Sequence, residues 1–250
     1  MDSLVPVAGP PLFLVARGDL AADSVTLSGP EGHHAATVRR LRQGERADVT
    51  DGAGGLAECV VAAVAKDTVV LTVRSLRAVP RPEPRITVVQ ALPKGERAEL
   101  AVELMTEVGV DSVVPWPAER SVTRWQGERG DRSLARWRAT AREAAKQSRR
   151  PWIPEIPAPA SLPDLAKLAA TAARTIVLEA DATSPLSRLP LPEAGEIVLI
   201  VGPEGGITLS ERATLASAGA VEARLGPTVL RTSTAGAAAA AVLLTRTARW

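Results

Sequence analysis

The 250-residue chain has one cysteine, two histidines, one phenylalanine, five tryptophans and no tyrosine. A single thiol rules out an intrachain disulfide. Cys59 sits in the apolar run 58–63, where it reads as a buried, inert group rather than a nucleophile. With only His33 and His34 beside it, a His/Cys metal site lacks ligands, and no metal is expected. Six aromatic rings are too few for single-strand recognition on several stacked platforms. No apolar run approaches the ~18 residues of a membrane span, and no basic N-terminal region leads into an apolar core. The expectation is a cytoplasmic protein with no signal peptide and no membrane contact.

What is present is Ala, Val and Leu in two different patterns. Up to residue 78 the chain reads as β: Leu12–Ala16, Ser24–Ser28, Arg46–Thr50, Leu56–Ala65 and Thr68–Arg74 are short Val/Leu-rich runs. They are punctuated by Asp51-Gly52, Gly54-Gly55 and Lys66-Asp67. His33–Leu41 is expected as a short helix between them, and a small closed barrel is the economical architecture because closure removes strand edges. Three prolines between Pro80 and Pro84 mark a linker, placed at 79–84. From residue 85 to 250 strands alternate with helices. Strands are expected at Ile86–Leu92, Ser112–Trp116, Thr175–Glu179, Ile197–Val201 and Val221–Leu225. Helices are expected at Glu96–Val108, Asp131–Gln147, Ser210–Ala218 and Thr232–Ala248. Strands apolar on both faces imply an α/β domain with a parallel sheet covered on both sides.

Net charge is only +2, yet residues 120–150 carry ten basic and three acidic groups. Arg138, Arg142 and Lys146 fall at four-residue spacing on one helical stripe. That stripe suits an ordinary solvated face as well as a polyanion footprint.

Two loops stand out. Gly202-Pro203-Glu204-Gly205-Gly206 follows one buried strand and precedes a helix whose start, Thr208 to Glu211, has capping-box spacing. It is neither a P-loop nor a dinucleotide fingerprint, and alone it also fits a plain strand-to-helix turn. The second loop, from Leu225-Gly226 to Thr234, follows a strand and opens a helix, bringing Arg231 and two hydroxyls near free helix N–H groups. Two such loops after strands of one sheet can converge on one pocket. Upstream, Lys94-Gly95, Glu119-Arg120-Ser121 and the segment 147–150 also follow strands or end the basic helix. Each suits surface or function equally. His33, His34, Arg39 and Arg40 share a short segment better suited to phosphate contact than to a metal.

Together these segments resemble the RsmE family of 16S rRNA (uracil-N3) methyltransferases, of the SPOUT superfamily, over almost the whole chain. The most specific matches are 202–206 and the run from Leu225-Gly226 to Leu230, Arg231, Thr232, Thr234 and Ala235. His33–Arg40, Asp51-Gly52, Lys94-Gly95, Glu107–Gly109, Glu119–Ser121, Glu143 and Gln147–Arg149 match in order. Glu103-Leu104 departs from the Gln-Lys of many relatives, and Ser233 from a frequent glutamate.

The resemblance implies a PUA-like barrel (1–78) followed by a methyltransferase domain (85–250) tied in a deep trefoil knot. It also implies a homodimer and S-adenosyl-L-methionine (SAM) as methyl donor. SAM contacts are implied at Leu178, Glu179, Val201, Gly202, Pro203, Glu204, Gly205, Leu225, Gly226, Val229, Leu230 and Thr234. The substrate implied is 16S rRNA, in the small ribosomal subunit, held by Arg39, Arg40, Lys94, Arg120, Arg138, Arg142, Gln147, Arg149 and Arg150. Uridine N3 must lose its imide proton, so donors aimed at the resulting anion are required. Arg231 is the candidate for that role, and Glu204 a candidate proton acceptor. Two rival readings are a non-catalytic RNA-binding factor on the same fold and a nucleotide-dependent α/β enzyme, the latter disfavoured by its missing fingerprints.

Overall fold

A computed structural model describes residues 9–20, 23–95 and 97–250. The chain forms two compact units. One holds the residues up to Arg81 together with Ala145–Ile153, and the other holds Pro82–Ala144 with Pro154–Trp250.

In the first unit, β1 (Leu12–Leu14), β2 (Ser24–Leu27), β3 (Arg46–Thr50), β4 (Gly55–Ala65) and β5 (Thr68–Ala78) form one sheet in the order β1-β3-β4-β5-β2. Among the described residues no ladder joins the outer strands β1 and β2. Between β2 and β3 lies α1 (Gly29–His33), which runs on into a wider π-helical turn at His34–Val38. The period of two is visible in β4, where Ala57, Cys59 and Val61 point inward against Val69 and Leu71 of β5. Phe13, Val25, Leu27 and Ala35 complete this core. Burial, with Asp48 nearby, pushes the Cys59 thiol up to about 11.

Gly54 needs its missing side chain, because a Cβ there would lie 2.4 Å from the Trp152 ring. Trp152 donates from Nε1 to the Val79 carbonyl at 2.9 Å, so the segment ending at Ile153 closes over the β3–β4 turn. Lys146 belongs to the same segment and departs from the expected exposed stripe. Its side chain is 8% exposed, and its Nζ lies 2.7 Å from the Glu31 carboxylate.

The second unit is built on a wholly parallel sheet of β6 (Arg85–Ala91), β7 (Ser112–Trp116), β8 (Arg174–Leu178), β9 (Glu196–Val201) and β10 (Val221–Ala223), ordered β10-β8-β9-β6-β7. The connecting helices are α2 (Arg97–Val108), α3 (Gly127–Gln147), α4 (Leu162–Thr171) and α5 (Leu209–Ser217), with α6 (Thr232–Thr245) at the end. The expected helix start at Glu96 lies outside the described residues. All five residues of β7 are buried, as are six of the seven in β6, the pattern of a sheet covered on both faces. α2 ends at Gly109, whose φ of +109° stops it. The alanine-rich α6 packs closely: a Cβ on Gly236 would lie 2.8 Å from Met105 Sδ.

A buried ion pair ties the chain end to this sheet. Arg249 and Asp111 are each 8% exposed, and the guanidinium also donates to the Gly109 carbonyl at 2.8 Å. Asp111 in turn accepts the amide of Ile86 at 2.8 Å. Replacing Arg249 by Met strands a buried carboxylate, so a loss of about 3–5 kcal/mol is expected in urea unfolding. Native Cys59 should resist alkylation at pH 8 and react fully once the chain is unfolded, as mass spectrometry would register.

Candidate active site

Three parallel strands end side by side, β8 at Leu178, β9 at Val201 and β10 at Ala223. The loops leaving their carboxyl ends enclose a cavity of about 350 Å³. Leu178, Glu179, Val201, Gly202, Pro203, Glu204, Leu225, Gly226, Val229, Leu230 and Arg231 all line it. Of the residues expected here, Gly205 and Thr234 are not in the wall. Gly205 instead turns its carbonyl to Arg120, and Thr234 donates its hydroxyl to the Arg231 carbonyl at 3.1 Å.

The glycine loop is held from below. Thr208 caps α5, accepting the Glu211 amide at 3.3 Å, while the Glu211 carboxylate accepts the Thr208 amide at 2.9 Å. Glu211 is 4% exposed and also accepts the amide of Glu119, at 2.8 Å. Arg120 Nη1 donates to the Gly205 carbonyl at 3.1 Å. The loop after β7 is therefore fastened to the loop after β9. Gly202 is required by packing, since a Cβ would lie 2.7 Å from Ile207 Cγ1. Gly226 is not: no atom lies within 4 Å of its would-be Cβ, and it borders the cavity.

Arg231 is the N-cap residue of α6 and is exposed, with no hydrogen-bond or ion-pair partner for its side chain among the described residues. Because it provides no side-chain cap, the Thr232 and Ser233 amides at the cavity wall keep no acceptor within the described chain. The α6 start is fixed by Gln90, fully buried at the end of β6, whose Nε2 lies 3.3 Å from the Thr232 carbonyl. Glu204 is exposed and has no partner among the described residues.

At the opposite wall, burial raises the Glu179 carboxyl above its usual range, opposed by Arg212 at 3.8 Å. Arg212 is locked by two bonds of 2.7 and 2.6 Å to Glu222. Arg97, the first residue of α2, also reaches the cavity. Sequence reasoning missed it, although its position just past the first strand of the sheet, like that of the two loops, was a usable signal. Ala180 was missed too and carries no such mark, whereas Gly206, Thr228, Thr232, Ser233 and Ala235 lie within the two loops already singled out.

The expected RNA contacts are scattered. Lys94 lines a different cavity of this unit. Arg138 and Arg142 are both exposed, and Arg138 also donates from Nε to the Ile156 carbonyl at 3.0 Å. Arg39, Arg40, Gln147, Arg149 and Arg150 belong to the first unit. Arg40 and Arg149 hold positive φ, of 54° and 56°.

Residues 80–244 match the family model of an RNA methyltransferase domain, and residues 27–74 that of an RNA methyltransferase PUA domain. The ribosomal RNA small subunit methyltransferase E of Mycobacterium bovis is 48% identical over 228 residues, covering 90% of this chain and 87% of its own. That of Bacillus subtilis is 29% identical over 86% of this chain and 87% of its own. Among solved structures, the Neisseria gonorrhoeae ribosomal RNA small subunit methyltransferase E bound to S-adenosylmethionine has a TM-score of 0.82 at 26% identity, covering 95% of this chain and 98% of its own. The fold is thus an α/β methyltransferase domain with a PUA-like N-terminal domain, and the chain belongs to the RsmE family of ribosomal RNA small subunit methyltransferases.

Proposed function

We propose that this chain methylates N3 of a uridine in 16S rRNA of the small ribosomal subunit, with SAM as donor. The observation that carries the reading is the single cavity in which the loops after β8, β9 and β10 meet Arg231 and the open start of α6. Relatives named for small-subunit rRNA methylation support the substrate, and the neighbour bound to S-adenosylmethionine supports the donor.

The cavity suits that donor. Its volume of about 350 Å³ lies in the range of small-molecule sites, about 300–1,000 Å³. Leu178, Val201, Leu225 and Leu230 offer apolar contact for an adenine. The Glu179 carboxylate suits hydroxyl or ammonium groups, and Arg97 offers a partner for a carboxylate. The open space at Gly226 leaves room for a bound group. When bound, SAM supplies a methyl already activated by its sulfonium, so the protein's task is to present a nucleophilic nitrogen in line with it.

Removing the N3 proton leaves a uracil anion delocalised over O2, N3 and O4. The Arg231 guanidinium and the Thr232 and Ser233 amides would stabilise it, cation and helix dipole acting in the same direction. Glu204 is the exposed carboxylate of the same wall and the group assigned to receive the proton. Leu178, Glu179, Val201, Gly202, Pro203, Glu204, Leu225, Gly226, Val229 and Leu230 are assigned to the donor, with Gly205 and Thr234 holding the loops that carry them. Arg39, Arg40, Lys94, Arg120, Arg138, Arg142, Gln147, Arg149 and Arg150 are assigned to rRNA.

The assignment extends to a PUA-like domain at 1–78, a linker at 79–84 and a catalytic domain at 85–250 tied in a trefoil knot. It also extends to a homodimer, supported by exposed apolar side chains: Val229 at the cavity wall, 85% exposed, and Leu209 at the start of α5, 80% exposed.

Incubation with labelled SAM and small ribosomal subunits, followed by mass mapping of the modified base, tests the reading. RNA binding without label transfer would replace it with a non-catalytic role. Arg231→Ala is expected to cut turnover by two orders of magnitude or so while SAM affinity stays within about twofold, as calorimetry beside single-turnover rates would show. Gly226→Leu should do the reverse, weakening SAM binding by about tenfold or more with an unchanged melting temperature.

A further inference from the structure

A second cavity, of about 570 Å³, opens in the same unit beside the carboxyl ends of β6 and β7. Its walls come from four places: the loop Leu92–Gly95, the first turn of α2, the segment Val122–Trp125, and the first half of α3. Thr123 donates its hydroxyl to the Pro93 carbonyl at 3.0 Å and so joins the first and third walls. Arg124 is spent on structure, donating to the carbonyls of Ala118 and Glu119 at 2.6 and 2.7 Å. Arg136 is paired with Glu99, the cavity's acidic side chain, at 3.2 Å. That leaves Lys94 and Arg129, both exposed and neither with a hydrogen-bond or ion-pair partner for its side chain among the described residues.

The same cavity has an aromatic wall. The chain has six aromatic residues, and two of them meet here. The half-buried Trp125 packs edge to face on the buried Trp137, their centroids 4.9 Å apart. Two uncommitted cations beside a fixed, partly accessible indole suit a phosphodiester and a base presented together. The SAM-type cavity has no aromatic side chain in its wall. The first turn of α2 borders both spaces, through Arg97 on one side and Ala98 on the other.

We propose that this second cavity holds an unpaired nucleotide of the substrate RNA next to the one that is methylated, its base on Trp125 and its phosphate between Lys94 and Arg129. The inference rests on the RNA-methylating reading above and adds a subsite to it. Single bases splayed from a strand are commonly read by stacking on such rings. Neither Trp125 nor Arg129 belongs to the stripe of Arg138 and Arg142 that the sequence suggested, and Arg138 is itself bonded to the chain.

The test is binding of a single-stranded small-subunit rRNA fragment to the full chain over a range of salt, with SAM affinity and melting temperature measured in parallel. The double variant Lys94→Ala/Arg129→Ala should bind RNA on the order of tenfold more weakly and lower the salt slope by about 0.7, the value for one phosphate contact on a single strand. Trp125→Leu should also lose about tenfold, and Trp125→Phe should recover most of it. SAM affinity and melting temperature should stay at wild-type values in the double variant and in Trp125→Phe. Equal RNA affinity and salt slope in the wild type and the double variant would overturn the subsite alone. So would a Trp125→Phe variant that binds no better than Trp125→Leu. A wild-type chain that takes up SAM yet binds no small-subunit RNA would remove the functional reading as well.

Discussion

The Glu211 carboxylate is the interaction on which the candidate site depends. It is almost fully buried, lies at the positive end of α5, and accepts amides from two different loops, those of Thr208 and Glu119. A carboxylate there is favoured by the helix dipole and by the open N–H groups of the first turn. Here it also acts as a clamp, since the residue after Glu119 is Arg120, whose side chain reaches the Gly205 carbonyl. The glycine loop is thus held on both flanks by polar bonds.

The parallel sheet supplies the second constraint. Loops at the carboxyl ends of neighbouring parallel strands converge, so residues far apart in the chain, such as Leu178, Gly202 and Leu225, come to one wall. Gln90 extends the same logic inward. It lies inside the apolar sheet and binds the first carbonyl of α6, so the helix start that carries Arg231 is referenced to the central strand. The same Nε2 also donates to the Ala91 carbonyl at 3.0 Å, so the amide joins the end of β6 to the start of α6.

The basic segment serves two purposes. Lys146 neutralises Glu31, Arg138 holds the Ile156 carbonyl, and Arg124 secures the turn after β7. These cations stabilise the units in which they lie. Arg129 and Arg142 remain exposed to solvent on α3. Charge counting along a sequence merges the two groups, because a guanidinium bonded to a carbonyl and one facing solvent contribute the same formal charge.

Much was legible in one dimension. The doubly apolar strands and the Thr208–Glu211 cap depend on neighbours a few residues away, and each appears as the sequence indicates. The cap at Ser161 and Asp164 that opens α4 carried the same kind of signal and went unread. The N-terminal sheet, by contrast, shows no β1–β2 ladder among the described residues, since closure depends on how far a whole sheet curls.

What the sequence by itself determined is therefore the local structure, the order of elements and the two loops that carry the family's marks. Only the tertiary structure decided that Arg97 shares their cavity, that Lys146 is buried, that Gly54 is small because Trp152 covers it, and that two tryptophans and two exposed cations line a second space. The reason is that hydrogen-bond spacing and hydrophobic period are short-range properties of the chain, whereas a cavity or a buried pair exists only once distant segments occupy the same volume.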